Sequence, residues 1–224
     1  MDNLVIVPCF KRPEYTEKCI KSLEKSQDYQ DTTFYLVDDG SNDETEKILR
    51  SSNLPSHVIV NRENVGLRQV LIDFFEFSRP FKYVMKVDND CEVPKSWLDD
   101  MKQMMFETDA DILSPNVFPS DAANKFGSPK FGLKYIPSKI VGGLWCMRTS
   151  LYKDIKFEPV NTFGIKGAFN LLNQIIVETD AKVGWVPSVV FQDLGHYSGK
   201  HPDHIKSEEH LNYSIEVGRP VSWA

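Results

Sequence analysis

The chain has 224 residues, of which 41% are hydrophobic and 26% are charged, a balance that predicts a folded core and excludes a disordered chain. At this length, one large α/β domain is favoured over two small ones. The formal net charge of −6 excludes a surface that is basic throughout, of the kind that binds nucleic acid or anionic lipid.

Cysteine usage and hydropathy favour a cytoplasmic protein. The four cysteines form no C-x-x-C pair, so neither a disulfide framework nor a cysteine zinc site is expected. The apolar runs, such as residues 4–7, are far shorter than the ~20 residues that span a bilayer. The first of them starts without a basic leader or a small-residue cleavage site, which predicts no signal peptide.

In the first half of the chain, short apolar runs alternate with amphipathic stretches. The apolar runs predict strands at 4–7, 33–37, 57–61 and 83–87. The amphipathic stretches predict helices at 15–26, from Ser41 or Asn42 to 49, 66–77 and 95–108. This alternation is typical of βαβ units, and therefore predicts a parallel sheet flanked by helices.

The second half is less regular. Residues 116–139 contain several Pro and Gly residues without a sustained period, which predicts a long surface excursion. Strands are predicted at 140–147 and 183–186. Between them lies an apolar stripe with helical spacing, formed by Ala168, Leu171, Leu172, Ile175 and Ile176. No internal repeat or linker divides the chain.

Polar side chains follow three of the predicted strands, in residues 8–12, 38–41 and 88–90. Ligands of parallel α/β sheets bind at the carboxyl ends of the strands. Asp88 and Asp90 offer oxygen ligands that suit a hard divalent cation. The alternative is that Asp and Asn at these places only end strands and begin turns.

Four of these segments, in this order, resemble the signatures of family 2-like glycosyltransferases with the GT-A fold. They are residues 5–12 (VIVPCFKR), 37–41 (VDDGS), 64–66 (NVG) and 87–90 (VDND). Residues 142–148 (GGLWCMR) are similar to the acceptor-side strand of that family. Residues 183–187 (VGWVP), followed by His196, resemble the segment that places a histidine near the metal. The resemblance runs from residue 4 to about residue 197.

The resemblance implies a single GT-A domain over residues 1–224, with a mostly parallel central sheet flanked by helices. Residues 1–110 would be the nucleotide-sugar-binding half, and residues 111–224 the acceptor-side half with a C-terminal tail. The implied reaction is metal-dependent transfer of a sugar from a nucleoside-diphosphate sugar, with a UDP-sugar as the favoured donor. The acceptor would be a hydroxyl of a glycan, of a small molecule or of a modified nucleobase in DNA, so nucleic acid enters only as an acceptor substrate.

The resemblance also implies roles for individual residues. Mn²⁺ or Mg²⁺ would be held by Asp88 and Asp90, with His196 completing the site. Phe10 would stack on the nucleobase, and Asp39 or its neighbour Asp38 would accept hydrogen bonds from the base or ribose. The residues implied to bind the nucleotide sugar are Pro8, Phe10, Arg12, Asp38, Asp39, Asn64, Gly66, Arg68, Asp88 and Asn89.

Several of these roles have a plainer alternative. Arg12 and Arg68 either contact phosphate oxygens or are solvated surface charges. The 64–66 turn either offers free helix amides to an anion or is an ordinary helix start. Lysines and aromatic residues alternate within 125–139, either as a site for an anionic acceptor or as a loop that packs on its own aromatic side chains. The tail histidines, His196, His201, His204 and His210, are either zinc ligands or serve separately. In the second case His196 completes the metal site, His201 is open as a contact of the diphosphate, and His204 and His210 lie at the surface.

The catalytic base is where the sequence departs from the family. Many inverting members carry a Glu-Asp pair at the start of a helix, but the corresponding residues 166–170 contain no carboxylate. An inverting reaction needs a base because the attacking hydroxyl must lose its proton. Either Asp154, Glu158 or Asp193 serves as this base, or the enzyme retains configuration.

Two other functions remain open at this stage. A sugar nucleotidyltransferase has a similar sheet but needs a glycine-rich phosphate loop after the first strand, and residues 8–13 contain no glycine. A module that binds a sugar nucleotide or a glycan without turnover would keep the same motifs.

Overall fold

The computed structural model describes residues 2–26, 29–119, 136–138, 144–157 and 165–194. The strands in these ranges are β1 (Asn3–Cys9), β2 (Thr32–Asp38), β3 (Ser56–Val60), β4 (Tyr83–Lys86), β5 (Cys91–Glu92), β6 (Ile112–Pro119), β7 (Ile136–Ser138), β8 (Trp145–Arg148) and β9 (Val183–Asp193). The α-helices are α1 (Pro13–Ser26), α2 (Thr45–Arg50), α3 (Leu67–Ser78), α4 (Trp97–Thr108) and α5 (Ile165–Thr179). A short 3-10 helix covers Thr149–Leu151.

All of these strands belong to one sheet, in the order β3-β2-β1-β4-β8-β6-β9-β5, with β7 paired to β9. β1 runs parallel to β2 and β4, and β2 runs parallel to β3. β8 is antiparallel to β4 and β6, whereas β6 and β9 are parallel. The prediction of a mostly parallel α/β sheet is confirmed, and strands from both halves of the chain contribute to it.

Helices cover both faces of the sheet because side chains of a strand point alternately to the two faces. One core lies under α1 and α4 and includes Leu23, Leu36, Met85 and Met105. The other core lies under α3 and α5 and includes Ile6, Leu71, Phe75, Trp145 and Leu172. The four cysteines are buried as free thiols. In the part of the chain that the structure describes, no helix is long and apolar enough to cross a membrane.

In the second half, the excursion predicted at 116–139 is wrong for the residues that the structure describes, whereas 120–135 and 139 lie outside them, and the strand predicted at 183–186 is too short. Residues 116–119 are not irregular but continue β6, and residues 136–138 form β7. The strand predicted at 183–186 extends to Asp193. Pro and Gly in 116–139 suggested a break, but β6 and β9 remain paired past a shift of register between Pro115 and Asn116. The strand predicted at 140–147 corresponds to β8, which starts at Trp145, and residues 140–143 lie outside the described ranges.

The start of α2 also differs from its prediction. The helix begins at Thr45, where Asp43 Oδ1 accepts a hydrogen bond of 2.8 Å from the Thr45 amide. Ser41 does not cap it, because its side chain accepts a hydrogen bond from the Lys11 amide instead. Residue 41 therefore joins two strand ends instead of starting a helix.

Candidate functional site

The carboxyl ends of β1, β2 and β4 lie at one edge of the sheet, called the site edge below, because these strands are parallel. The segments that follow β1 and β2 are fastened together. The Asp39 amide donates to the Cys9 carbonyl at 2.8 Å, and the Lys11 amide donates to Ser41 Oγ at 2.8 Å. Asp38 is buried and accepts from the Ser41 amide at 3.0 Å. These bonds give the site edge a rigid floor.

Asp39 is buried and holds the turn that precedes α3. Its Oδ1 accepts hydrogen bonds of 2.9 Å from Asn61 Nδ2 and from the Val65 amide, and its Oδ2 accepts one of 3.0 Å from the Gly66 amide. The amides that the sequence suggested for an external anion are therefore bound by a carboxylate of the protein. A negative charge is favourable there because the N-terminus of α3 carries partial positive charge.

Gly40 allows this turn to lie close to the end of β2. It has φ 73°, and a Cβ atom placed on it would lie 2.5 Å from the Asn64 nitrogen and 2.8 Å from Glu63 Cα. Such approaches are shorter than real contacts allow. A glycine is required at this position both by the space and by the left-handed backbone.

Asp88 and Asp90 lie at the end of β4, and each is bound by a cation of the protein. Asp90 Oδ2 accepts a hydrogen bond of 2.7 Å from Arg12 Nη1. Asp88 Oδ1 is paired with the ammonium of Lys86, a residue of β4 whose side chain is 4% exposed. Removal from bulk water raises the pKa of Asp88, the Asp90 carboxylate adds to this effect, and the charges of Lys86 and Arg12 oppose it.

These two carboxylates fit a divalent cation by their chemistry, since Mg²⁺ and Mn²⁺ prefer oxygen ligands. Among the described residues, no group of three or more His, Cys, Asp or Glu side chains could hold a metal ion. The site would thus depend on oxygens of a bound phosphate, on water, or on a residue outside the described ranges. His196, His201, His204 and His210 all lie outside them.

Arg12 approaches Asp90 from a strained loop. Lys11 and Arg12 both have φ 58°, a left-handed conformation that is rare for residues other than glycine. Arg12 is followed by Pro13, which further restricts its backbone. Asn89 supports this loop, because its Nδ2 donates to Thr16 Oγ1 at 2.9 Å and to the Lys11 carbonyl at 3.4 Å.

The remaining nucleotide-site candidates lie around the same edge. The Phe10 ring is 40% exposed, and Lys11 Nζ lies 5.2 Å from its centroid. Pro8 pairs with Val37 within the sheet. Arg68 is buried in the first turn of α3, next to Gly66. Neither Arg12 nor Arg68 is a fully solvated surface charge, so that alternative is wrong for both.

Of the three candidates for the catalytic base, the structure describes Asp193 and Asp154, and the two lie in different parts of the molecule. β9 pairs with β5 so that Asp193 lies opposite Cys91, and the Leu194 amide donates to the Asp90 carbonyl at 2.8 Å. The backbone of Asp193 is therefore next to the acidic pair. Glu158 lies outside the described residues.

The location of Asp154 contradicts the role predicted for it. Because β8 is antiparallel to β4, Arg148 lies opposite Tyr83 at the start of β4, away from the site edge. The neighbouring Lys153 carbonyl accepts a hydrogen bond from Arg79, which follows the C-terminal end of α3. The site edge is at the other end of this 12-residue helix, which is about 18 Å long.

Lys86 is the functional candidate that sequence reasoning missed. A signal for it exists, since it is a charged residue inside the otherwise apolar run of a predicted buried strand. A lysine at such a position is costly to bury without a partner. A carboxylate at the nearby strand end is the partner that this pattern indicates.

Comparisons with known proteins agree with this fold. The family model for "Glycosyl transferase family 2" matches residues 4–169. The glycosyltransferase GlyG of Streptococcus pneumoniae serotype 4 is 26% identical over 122 residues, which are 54% of this chain and 40% of that protein. This chain thus spans less than half the length of that curated relative.

Solved structures with the same fold include three glycosyltransferases. The S. aureus TarS fragment 1–349 is 20% identical, with a TM-score of 0.66, over 86% of this chain and 60% of that one. The mannosyltransferase PcManGT of Pyrobaculum calidifontis is 16% identical, with a TM-score of 0.67, over 97% and 64%. GalNAc-T7 is 15% identical, with a TM-score of 0.71, over 97% and 48%. At these identities the likeness is one of fold, and it confirms the expected GT-A architecture.

Proposed function

The chain belongs to glycosyltransferase family 2, and from this premise we propose that it transfers a sugar from a nucleoside-diphosphate sugar to an acceptor hydroxyl with the help of a divalent cation. The observation that carries the proposal is the acidic pair Asp88 and Asp90. It lies at the site edge beside an exposed aromatic ring, Phe10, and a rigid turn organised by Asp39. Carboxylates that can hold a cation suit a diphosphate, and an exposed aromatic ring suits a nucleobase.

For the donor, we favour a UDP-sugar. TarS structures contain UDP or UDP-GlcNAc, and the GalNAc-T7 structure contains UDP, whereas PcManGT was solved with GDP-Man. In this chain Phe10 offers its ring to the base, and the buried Arg68 beside Gly66 offers positive charge for phosphate oxygens. The Asp39 carboxylate accepts three hydrogen bonds from the protein, and its proposed role is to position the 64–66 turn next to the bound nucleotide.

For the metal, we propose that Asp88 and Asp90 hold Mn²⁺ or Mg²⁺, with His196 as a further candidate ligand. The PcManGT and GalNAc-T7 structures both contain Mn²⁺. A divalent cation neutralises the charge that develops on the departing nucleoside diphosphate. Lys86 orients Asp88 and opposes the rise of its pKa, because its buried ammonium is paired with that carboxylate.

For the acceptor, we propose Asp193 as the group that removes the hydroxyl proton if the reaction inverts configuration. The support is the position of its backbone beside Cys91 and Asp90. A reaction that retains configuration would not need this base. The acceptor itself, a glycan, a small molecule or a modified nucleobase, would meet the half of the sheet formed by β6, β8 and β9.

A thermal-shift panel tests the donor and the metal together. UDP, GDP, ADP and CDP are each added to the protein with and without Mn²⁺. We expect one nucleotide, UDP by preference, to raise the melting temperature strongly only when Mn²⁺ is present, since a ligand at 100 times its Kd adds about 2.7 kcal/mol of stability. If no nucleotide stabilises the protein under either condition, the proposed function is wrong.

Slow release of sugar from the matching donor then separates an enzyme from a binding module. A transferase hydrolyses its donor at a low rate by passing the sugar to water. Binding of the donor without any release, in the presence of Mn²⁺, would favour the module.

A further inference from the structure

The two acidic residues at the end of β4 are held by cations of different mobility. Lys86 lies within β4, between Ile6 of β1 and Trp145 of β8, and its side chain is 4% exposed. Arg12 lies on the loop after β1, and its side chain is 21% exposed. The partner of Asp88 is therefore fixed in the sheet, whereas the partner of Asp90 can leave without disturbing the core.

The backbone beneath Arg12 is held in an unfavourable conformation. Lys11 and Arg12 are consecutive left-handed residues, and conformations of this kind persist only where the surroundings impose them. Ser41 and Asn89 impose this one by binding the amide and the carbonyl of Lys11. The Arg12 carbonyl accepts the first amides of α1, from Tyr15 and Thr16. Strain of this kind is concentrated at functional sites, and here it aims the guanidinium at Asp90.

A divalent cation and the Arg12 guanidinium compete for the same carboxylate. Asp90 Oδ2 is 2.7 Å from Arg12 Nη1, so a metal ion that binds this oxygen meets the positive charge of the guanidinium at close range and weakens its ion pair. Repulsion between the two positive charges adds to this competition, because both are partly shielded from water. A displaced guanidinium fits two oxygens of a diphosphate, since its planar fork matches phosphate geometry.

We propose that Arg12 is a positioning residue that occupies Asp90 until the metal and the donor bind together, and that it then pairs with the donor diphosphate. This inference rests on the proposed function. It makes metal and nucleotide binding cooperative. Binding of the metal alone weakens the ion pair between Arg12 and Asp90 without a replacement, whereas binding of the metal with a diphosphate gives the arginine a new partner. Linkage requires the same coupling factor for both ligands.

Calorimetric titration of the full chain with Mn²⁺, alone and in the presence of UDP, tests the proposal, with GDP in a parallel series. In Arg12→Gln we expect the Kd for Mn²⁺ alone to fall roughly three- to tenfold, the range expected when an ion pair of intermediate strength no longer competes. The factor by which the nucleotide strengthens Mn²⁺ binding should fall by at least as much. Lys11→Gln is the matched control, because it removes the same charge from the next residue without touching Asp90.

A second variant keeps the test valid if Arg12→Gln melts early. Arg12→Lys retains the charge but lacks the fork, so Mn²⁺ alone should bind as in the wild type while the coupling with the nucleotide falls. Equal or weaker Mn²⁺ binding by a folded Arg12→Gln would overturn the inference, as would an equal gain in Lys11→Gln. If the wild type and all variants bind neither Mn²⁺ nor nucleotide, the proposed function itself fails.

Discussion

The acidic residues that follow β2 and those that follow β4 are stabilised in opposite ways. Asp38 and Asp39 are buried and are bound mainly by main-chain amides of neighbouring turns. Asp88 and Asp90 are bound by side-chain cations instead, Lys86 and Arg12. Amides are part of the fold and cannot leave, whereas a side-chain cation can be exchanged for another cation. The first pair is therefore built to hold structure, whereas in the second pair Asp90 is suited to exchange its loop partner Arg12 for a metal ion.

Gly40→Ala should have the largest effect on stability, because it disturbs the backbone that holds Asp38 and Asp39. The new Cβ atom would collide with the main chain of Glu63 and Asn64, at a position where φ is 73°. We expect a loss of roughly 3 kcal/mol or more in the free energy of unfolding, measured with urea. Asn42→Gly serves as a control, since Asn42 has a similar φ of 55° and glycine relieves its strain. Equal loss in both variants would contradict this account.

Asp39→Asn should have the next largest effect. The NH2 nitrogen of an asparagine side chain cannot accept a hydrogen bond, so either the Val65 or the Gly66 amide loses its partner. An unpaired buried donor and a lost charged acceptor together predict a loss of about 2–3 kcal/mol in the free energy of unfolding. Nucleotide affinity should fall with it, because the 64–66 turn loses its anchor. An unfolding curve like that of the wild type would show that Asp39 does not stabilise the 64–66 turn.

Asp90→Ala tests the second acidic pair, Asp88 and Asp90. Its carboxylate is 17% exposed and has an arginine partner that can turn to water, so we expect a change of less than about 1 kcal/mol in unfolding free energy. Metal-dependent turnover should be abolished while the fold persists. Near-wild-type activity of this variant with Mn²⁺ would show that the metal is bound elsewhere. Asp99→Ala, at the exposed start of α4, is a suitable control for the loss of a surface carboxylate.

Phe10→Ala should change stability least, since 40% of the residue is exposed. Its effect should appear in donor binding instead. We expect nucleotide affinity to weaken by about 1–3 kcal/mol, the range measured for stacking of bases on aromatic side chains. Calorimetry with the nucleotide from the thermal-shift panel measures this directly. Phe106→Ala is the control, because Phe106 is still more exposed but lies on α4, away from the site edge. Unchanged affinity in Phe10→Ala would place the base elsewhere.

Sequence reasoning succeeded where the signal is local. Strands β1 to β4 were predicted because each is a short apolar run between polar residues, and their polar ends fall at one edge because the strands are parallel. The two-residue strand β5 was missed, because so short a segment carries no periodicity. It failed for residues 116–119 of β6, where Pro and Gly suggested an irregular segment, and it ended β9 at Val186, although the pairing of the two strands continues past a change of register. It also failed for Asp154, because the reversed direction of β8 carries the following residues away from the site.

The periodicity of the chain alone determined the α/β class, the helices on both faces of the sheet and the site edge with its acidic pairs. Burial of apolar side chains depends on spacing of two or 3.6 residues, and this spacing can be read from neighbouring positions. Only the tertiary structure decided which groups neutralise the acids. Arg12 is 78 positions from Asp90, and Val65 and Gly66 are 26 and 27 positions from Asp39. The order of strands in the sheet and the path of strained loops bring partners so distant in sequence together. Both are properties of the folded chain as a whole.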